Sequence, residues 1–560
     1  MLFLRILSLH ISSSYPSPTS PHIPPSHLPN PDLLLLLPTR GLWRRLPPLA
    51  METDVDRPSS NYRRRKSAAV ESNNGTLSPS AVTESPDLGV GEGEGGVDRI
   101  SNLPDDILGE IISLIPTKDG ACTQTLASRW RYLWCSAAPL NLDCRELPAS
   151  MDACANVVSQ ILSSHLGPGR RFCIHSHYLF SGWTAALDVW LRSPALNNLE
   201  ELDFYCRSQT LDDLKRRVLD LSYVMNYDPK MLVKNRDPRK RLVPPPASTF
   251  RFAATLRVAT IGNCYLLFTL IQSLHFPHLR KLALEHVCLS ERCLYGMIAA
   301  CPALECLLIE LCHGFRSFWV NSIGLKSIAM TVGLYKGGRF QFKELIIENA
   351  PCLRLLHVGL HFDLHVSIVS APKLETLGCY FYQNFPSYRL AFGSTIIQGI
   401  PVDSLAMVVH TVKILALSVH ILSLDTVIKF MRCFPCLEKL YIETCEKPPD
   451  NVWRREHQEL SRCFDIPMKT IVLQFYRGTK LEVDFLTFFV LNAKVLELMT
   501  VTVEDNYFNE EFLALQRMNL QLENRASRGA RFRFTTNRRL RNVSSIEHVH
   551  DLDLADPFMQ

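Results

Sequence analysis

The sequence predicts an α/β protein in which a short all-α helical module precedes a long, irregular solenoid of strand-forming repeats and a C-terminal α+β cap. Three observations support this fold class. Apolar residues near position 100 recur at helical spacing, an apolar template recurs along the middle of the chain, and its spacing changes towards the C terminus. The helical stretch is too short to close a core alone, so it needs a partner.

Composition excludes several classes of protein. With 47% hydrophobic and 21% charged residues over 560 positions, the chain is globular over most of its length. A net charge of +5 is too weak to predict nucleic-acid binding, and no run reaches the roughly 18 apolar residues of a membrane span. The 18 cysteines, among them Cys288, Cys301 and Cys436, lie mostly in apolar contexts. We interpret them as buried free thiols, which predicts a location in the nucleus and/or cytoplasm.

The N-terminal region, residues 1–97, is predicted to be a disordered leader. Residues 52–97 are polar and rich in Gly and Ser. Residues 1–50 are rich in Ser, Pro and Leu and contain a single acidic residue, Asp32. A transit peptide is one interpretation of that composition. Our expectation is instead that Met51 is the biological start and that the residues before it are an artefact of gene modelling.

A helical pattern characterises residues 98–145. Ser101 or Asn102 is predicted to cap a helix that has Pro104 in its first turn, and Pro116 is predicted to end that helix. Two further short helical segments are expected after it. Their apolar residues recur at three- and four-residue steps and form one broad face, so this segment is predicted to bind another protein.

The residues of this segment resemble an F-box in its plant form, through Leu103-Pro104-Asp105-Asp106-Ile107-Leu108, Pro116-Thr117-Lys118-Asp119 and Ser128-Arg129-Trp130-Arg131. The resemblance implies docking on the Skp-type adaptor of an SCF-type ubiquitin ligase, and through it on a cullin. The adaptor contacts that it implies are Leu103, Pro104, Ile107, Leu108, Ile111, Leu114, Ile115, Leu126, Trp130, Leu133 and Trp134. Plant F-boxes of this kind commonly carry Arg where this chain has Cys122. A helical cap that seals the first repeat is the alternative.

A repeat fills most of residues 146–450. The template L-x-x-L-x-L, with apolar substitutes, recurs at steps that include 21 to 25 residues, which is typical of leucine-rich repeats. The spacing is irregular, because the step from Leu325 to Phe342 is 17 residues and the step from Leu374 to Val412 is 38. Matches start at Leu199, Leu256, Leu279, Leu304, Leu325, Phe342, Leu353, Leu374, Val412, Leu437, Met468 and Ala493.

Stacked repeats of this kind bury one continuous core and leave a surface rich in side chains. We predict that this surface binds an unidentified target protein. Residues 205–248 interrupt the repeats with a basic, proline-punctuated sequence. We interpret them as an inserted surface loop; a patch for an anionic ligand or nucleic acid and an artefact of gene modelling are the alternatives.

The C-terminal region, residues 451–560, has a different pattern. An alternating stretch from Met468 to Phe475 predicts a strand, Gly478 a turn, and the apolar run Phe485 to Val490 a helix. A basic segment from Arg525 to Arg533 is also expected to be helical. The pieces YRG, FFVLNAKVLELM and HDLDLADPF resemble the FBD module of plant F-box and leucine-rich-repeat proteins. The residues alone predict a cap on the open edge of the last repeat.

Catalytic motifs do not emerge from the sequence. It contains no phosphate-binding loop, no H-E-x-x-H motif and no nucleophile elbow. We therefore predict no enzyme activity, no cofactor and no metal site. The preferred function is the substrate-recognition adaptor subunit of an SCF-type (Skp-cullin-F-box) ubiquitin ligase. The alternative is a non-catalytic leucine-rich-repeat scaffold, or an inactive family member, that binds a partner protein without ubiquitin transfer.

Overall fold

The computed structural model divides the chain into two compact units, Met1–Leu103 and Pro104–Gln560. It describes residues 100, 102–115, 117–137, 139–179, 182–205, 242–332, 342–359, 364–381, 389–392, 395–398, 408–419, 422–444, 466–536, 541, 543–544 and 546–559. The predicted leader 1–97 and residues 206–241 of the predicted insertion lie outside these ranges. None of the helices in these ranges is long and apolar enough to cross a membrane.

Helices connect the strands through much of the second unit. The α-helices in the described ranges are α1 Asp105–Leu114, α2 Thr117–Cys122, α3 Trp130–Tyr132, α4 Met151–Ser164, α5 Thr184–Leu191, α6 Phe268–Ile271, α7 Glu291–Ala299, α8 Leu424–Cys433, α9 Lys480–Asn492 and α10 Glu510–Asn519. A π-helical turn follows α3 at Leu133–Ala137, and 3₁₀ turns include Thr123–Thr125, Ala247–Phe252 and Val549–Asp553.

Helix α1 starts later than the sequence predicts. Pro104 itself occupies the N-cap position with an extended ψ of 152°, and no side chain caps the helix, so the predicted cap is wrong. Asp105 and Asp106 lie in the first turn, where their charge favours the positive end of the helix dipole. The helix ends before Ile115, which is extended because the next residue is a proline.

Most strands form one parallel sheet. The strands are β1 Leu140–Asp143, β2 Gly169–His175, β3 Glu201–Tyr205, β4 Val258–Gly262, β5 Lys281–Glu285, β6 Cys306–Cys312, β7 Ser317–Asn321, β8 Ser327–Val332, β9 Glu344–Asn349, β10 Leu355–Gly359, β11 His365–Ile368, β12 Thr376–Phe381, β13 Arg389–Phe392, β14 Thr395–Gln398, β15 Ile414–Val419, β16 Lys439–Thr444, β17 Thr470–Tyr476, β18 Leu498–Val503 and β19 Arg531–Thr536. Within the described ranges, fourteen strands pair in the order β1-β2-β3-β4-β5-β6-β8-β10-β12-β15-β16-β17-β18-β19. The predicted α/β class is confirmed.

Register places one apolar residue of every strand in line across this sheet. This core column consists of Leu142, Phe172, Leu202, Ala259, Leu282, Leu307, Ile328, Leu356, Leu377, Leu415, Leu440, Ile471, Met499 and Phe532. It contains the central template residue of most predicted repeats. Two matches are exceptions: the match that starts at Phe342 lies outside this sheet, and in the last match pairing aligns Met499 rather than Leu496 with Ile471. The predicted match at Ala493, Leu496 and Leu498 is therefore in the wrong register, and Leu498 is only half-buried.

A second sheet explains the irregular steps. It consists of β14-β13-β11-β9-β7, and the match that starts at Phe342 belongs to β9 of this sheet. The repeat that starts at Leu325 is therefore followed in the main sheet by the one at Leu353. Strands β13 and β14 form an antiparallel pair inside the long step between Leu374 and Val412.

The C-terminal region continues the repeat architecture. Strands β17, β18 and β19 pair in parallel with the strands before them, with α9 and α10 between them. In its described part this region extends the α/β sheet, which differs from the predicted α+β cap. Arg531 and Arg533 lie on strand β19, so the predicted basic helix is wrong there. The alternation RFRFTT has the period of a strand.

Candidate partner-binding surfaces

Helix α1 carries two adjacent apolar strips. The inner strip consists of Leu108, Ile112 and Ile115, whose exposed fractions are 0%, 2% and 7%. The helix packs against the π-turn Leu133–Ala137 and strand β1. The inner strip therefore belongs to a small core shared with the first strand of the sheet, which is the sealing role that we considered as the alternative to partner binding.

The outer strip consists of Pro104, Ile107, Ile111 and Leu114. Ile107 is 43% exposed and Leu114 is 45% exposed, Pro104 is exposed, and Ile111 is half-buried. Steps of three and four residues keep these side chains on one side of the helix. Because sealing the first repeat does not use this strip, it is open to a protein partner.

The other predicted adaptor contacts divide in the same way. Trp130, Leu133 and Trp134 are buried, with 3%, 3% and 5% exposure, whereas Leu126 is 62% exposed. Leu103, the last residue of the first unit, is half-buried. Of the ten predicted residues in the second unit, five thus build the core of the helical module and five reach its surface.

Two ion pairs link residues of α1 to neighbouring segments. Arg129 Nε donates a hydrogen bond to Asp105 Oδ1 at 2.6 Å, and Arg170 pairs with Glu110 Oε2 at 2.8 Å. Both pairs are partly exposed, so each contributes at most about 1 kcal/mol. Because Arg170 belongs to β2, the second pair also fixes the orientation of α1 on the sheet.

A second surface lies on the side of the main sheet opposite the core column, since successive strand residues point to opposite faces. Its apolar strand positions are Ala283, Cys306, Leu308, Ala329, Leu355, Ile414, Ala416, Tyr441 and Val472. Residues 541, 543–544 and 546–559, which we call the tail, cover them. The tail inserts Val543, Ile546, Val549, Leu552 and Phe558, each 4% exposed or less. We call the covered surface the tail face.

Two lysines of the sheet form ion pairs with aspartates of the tail. Lys281 pairs with Asp553. Lys439 Nζ lies 2.7 Å from Asp556 Oδ2, and the Tyr441 hydroxyl donates to the same oxygen at 2.8 Å. Burial acts to raise the pKa of Asp553, but the hydrogen bond from Lys281 opposes it and the net pKa is lowered. The contact with Lys281 therefore favours the ionised form of Asp553.

Two glycines make room for the tail beside a buried histidine. His357 Nε2 is 2.8 Å from the carbonyl oxygen of Val543 and donates its N–H to it. Burial lowers the pKa of His357 to about 4. A Cβ on Gly378 would overlap the imidazole, and a Cβ on Gly359 would overlap the carbonyl oxygen of Ser544. The close approach of the tail thus depends on residues without side chains.

The tail crosses much of the main sheet. Gln474 Nε2 on β17 donates to the carbonyl oxygen of Arg541 at 2.7 Å. At the other end, His550 Nε2 lies 3.2 Å from Glu201 Oε1 on β3. The chain then returns to β16, where Asp556 binds. The tail therefore spans the strands from β3 to β17.

The sequence patterns do not predict the tail face. The segment HDLDLADPF contributes only to the resemblance to the FBD module, and no structural role is predicted for its residues. A signal was present in strands β10 and β15, LLHVG and ILALSV, which are buried at every position. Near-continuous apolar strands are typical of sheets covered on both faces. That pattern indicates a cover that the repeats themselves do not supply.

None of the fifteen described cysteines forms a disulfide bond. Burial raises the pKa of the Cys293 thiol to about 11, whereas a side-chain hydrogen bond with Cys144 lowers the pKa of the Cys154 thiol to about 7. Of the three cysteines named in the prediction, Cys301 is buried, Cys288 is half-buried and Cys436 is exposed, so the predicted burial is wrong for Cys436. Within the described ranges, no group of three or more His, Cys, Asp or Glu residues is arranged to hold a metal ion.

Comparison with known proteins gives two family matches. Residues 229–442 match a family described as "FBD-associated F-box protein At5g56370, LRR repeats", and residues 458–501 match the FBD family. The first match starts inside the predicted insertion. The second contains the segments YRG and FFVLNAKVLELM, whereas HDLDLADPF lies beyond it.

Several Arabidopsis thaliana proteins are similar to this chain. The "Putative F-box/LRR-repeat protein At3g18150" is 23% identical over 73% of this chain and 88% of that protein. The "F-box/FBD/LRR-repeat protein At1g13570" is 23% identical over 72% of this chain and 91% of that protein. The "F-box/LRR-repeat protein At5g02910" is 25% identical over 63% of this chain and 74% of that protein.

The parallel repeats and the two family matches indicate the class of protein that this chain resembles, leucine-rich-repeat proteins with an FBD module. Within that class, the chain is similar to plant F-box/FBD/LRR-repeat proteins, which confirms the resemblance predicted from the sequence. Neither matched range includes residues 98–145. The identification of these helices as an F-box therefore stays a prediction.

Proposed function

We propose that the chain is the substrate-recognition adaptor subunit of an SCF-type ubiquitin ligase. Helices α1 to α3 dock on a Skp-type adaptor, and through it on a cullin, while the repeat domain captures a target protein. The observation that carries this proposal is the outer strip of α1, an exposed apolar surface within a segment that has the F-box residue pattern. The similar Arabidopsis thaliana proteins carry the term F-box in their names, which supports the proposal.

The eleven predicted adaptor residues take two roles in this proposal. Pro104, Ile107, Ile111 and Leu114, with Leu126 and Leu103, make the contacts with the adaptor. Leu108, Ile115, Trp130, Leu133 and Trp134 act by holding the helices in place. Buried aromatic residues of this kind usually cost about 3–5 kcal/mol when they are truncated to Ala, so their loss would disturb the module itself.

The chain contributes proximity rather than chemistry. Holding a target protein near a ubiquitin-charged enzyme raises the effective concentration of its lysines, and the covalent steps belong to other subunits. We propose that this occurs in the nucleus or cytoplasm, where the free thiols would remain reduced.

Retention of a purified Skp-type adaptor by the immobilised full chain tests the proposal. We expect the wild type to retain the adaptor. The double variants Leu103→Ala/Pro104→Ala and Ile107→Asp/Leu114→Asp should abolish retention, because they remove apolar contacts or place charge in a surface that docking dehydrates.

A matched control places the same charge on apolar side chains elsewhere. Val189 and Ile323 are 68% and 77% exposed and lie outside the helical module. The variant Val189→Asp/Ile323→Asp should retain the adaptor like the wild type. No retention by a folded wild-type chain contradicts the proposal and favours the scaffold that acts without ubiquitin transfer. Equal retention by all variants contradicts the assignment of the outer strip.

A further inference from the structure

The tail face has the chemistry of a peptide-binding groove. It offers an apolar floor that the tail residues Val543, Ile546, Val549, Leu552 and Phe558 fill. Lys281 and Lys439 provide cations at two separate points, and each binds one carboxylate of the tail. Apolar contacts supply most of the affinity in such a groove, while the charged pairs fix register.

The tail contacts the groove as a bound peptide does. Its only regular structure in the described ranges is the 3₁₀ turn Val549–Asp553, and none of the strand pairs there involves it. It is held by inserted side chains and by hydrogen bonds with side chains of the sheet: Ser327 Oγ donates to the carbonyl oxygen of Leu552 at 2.8 Å, and the buried Glu443 carboxylate accepts from the amide of Ser544 at 2.6 Å. Side-chain contacts of this kind break one at a time, unlike a strand in a ladder.

Open space adjoins the end of the tail. A cleft of about 510 Å³ lies beside Phe558, on the strands β16 to β19, and Thr470, Thr500 and Arg533 are among its lining residues. A smaller cleft of about 170 Å³ lies beside Ala555 and Lys439. Another chain can therefore begin to bind next to the tail before the tail leaves.

We propose that the tail face is a binding site for an acidic, apolar peptide segment, and that the tail occupies it as a self-ligand which such a segment of a captured protein replaces. The segment would match the tail in chemistry, with two carboxylates three residues apart, apolar residues before them and an aromatic residue after them. This inference rests on the proposed function in that the captured protein is the source of the segment. The captured protein is then recognised at the tail face, and its binding competes with that of the tail.

Covalent attachment favours the tail over any free peptide. A tethered segment acts at an effective concentration that reaches millimolar for short linkers, so a competitor has to bind more tightly or at several points. A substitution that weakens binding of the tail without changing the tail face should therefore make that face available to a free peptide. Asp553→Asn/Asp556→Asn does this, because it removes the two carboxylates that pair with Lys281 and Lys439 and keeps both lysines.

Binding of a fluorescent synthetic peptide tests the inference. The peptide has the sequence of residues 541–560, and its anisotropy is measured with the full chain in the absence of any Skp-type adaptor. We expect the Asp553→Asn/Asp556→Asn chain to bind it about tenfold more tightly than the wild type, since loss of two charged pairs weakens the competing tail by roughly that factor. The same peptide with Asp553 and Asp556 changed to Asn should bind the variant about tenfold less tightly than the unmodified peptide.

The control is Glu510→Gln/Glu511→Gln, which removes two exposed charges from α10 and should bind the peptide like the wild type. Thermal melts of all chains accompany the titrations. Two results contradict the inference: a variant that melts like the wild type but takes up no peptide, and a variant that loses its cooperative melt. Either result makes the tail a fixed part of the fold. Because no adaptor is present, neither result affects the proposed docking of α1.

Discussion

At the scale of single residues, glycines and one histidine decide how closely the tail approaches the sheet. Gly359 and Gly378 lie on strands β10 and β12, and side chains at these positions would overlap the tail backbone and the imidazole of His357. His357 in turn donates to the tail through Val543. These residues determine the fit of the tail without adding charge to the site.

Gly359→Ala should loosen the tail. The added Cβ would overlap the carbonyl oxygen of Ser544, and overpacking of this kind costs about 1–3 kcal/mol. We expect faster hydrogen exchange of the tail amides, measured by mass spectrometry, with little change in the strands. Gly529→Ala is the matched control, because a Cβ there meets nothing within 4 Å. Equal protection of the tail in both variants would show that Ser544 is not held closely.

The stability of the fold should depend on pH through His357. Burial lowers its pKa from 6.5 to about 4. Between these values the unfolded state binds more protons than the folded state, so the free energy of unfolding falls as the pH is lowered through this window. Neutral His357 contributes fully to the free energy of unfolding above about pH 6.5. This contribution, up to about 3 kcal/mol, is lost by about pH 4.

Urea unfolding at a series of pH values measures this dependence. His357→Gln retains an N–H donor for the carbonyl of Val543 but does not titrate, so its free energy of unfolding should fall less steeply between pH 6.5 and 4. Identical slopes for the two chains would assign the acid sensitivity to other groups.

At the scale of elements, the turn that precedes α9 shows why the FBD segment folds as it does. Gly478 has a φ of +74°, which favours glycine. Thr479 caps the helix, and the Glu482 side chain accepts hydrogen bonds from the amides of Arg477 at 3.1 Å and Thr479 at 2.9 Å. Glu482 is only 1% exposed, so its carboxylate is a buried link between strand β17 and helix α9.

Glu482→Ala should therefore destabilise the fold. It leaves two amide donors and the hydroxyl of Thr479 without this acceptor, and removing a buried charged acceptor costs about 2–4 kcal/mol. Chemical denaturation measures the loss. Glu510→Ala, at an exposed position in the first turn of α10, should cost less than about 1 kcal/mol. Comparable losses in the two variants would contradict the structural role of the capping box.

At the scale of the whole second unit, the main sheet is covered on both sides. The core column packs on one side, and the tail, from the far end of the chain, covers much of the other. Because α1 and the tail contact the sheet at different places, the adaptor assay and the peptide assay report on separate surfaces. Substitutions without shared contacts usually have additive effects, so variants of the two surfaces can be combined.

Much of this architecture could be predicted from local sequence. The helical segments after Asn102 and the apolar face of Leu108 follow from three- and four-residue spacing, and most repeat strands follow from the apolar template. Their period is local, so it can be read without a structure. The irregular steps, by contrast, depend on where a strand pairs. Strand β9 satisfies the same template but pairs in the second sheet.

The sequence alone determined the α/β class, the strand-forming repeats and the resemblance to F-box, leucine-rich-repeat and FBD proteins, because each depends on residues close together in the chain. Only the tertiary structure decided which apolar residues remain exposed. It separated Ile107 from Leu108 on one helix and brought Asp553 and Asp556 to Lys281 and Lys439. Contacts between residues more than a hundred positions apart depend on the packing of the whole chain, which no local period encodes.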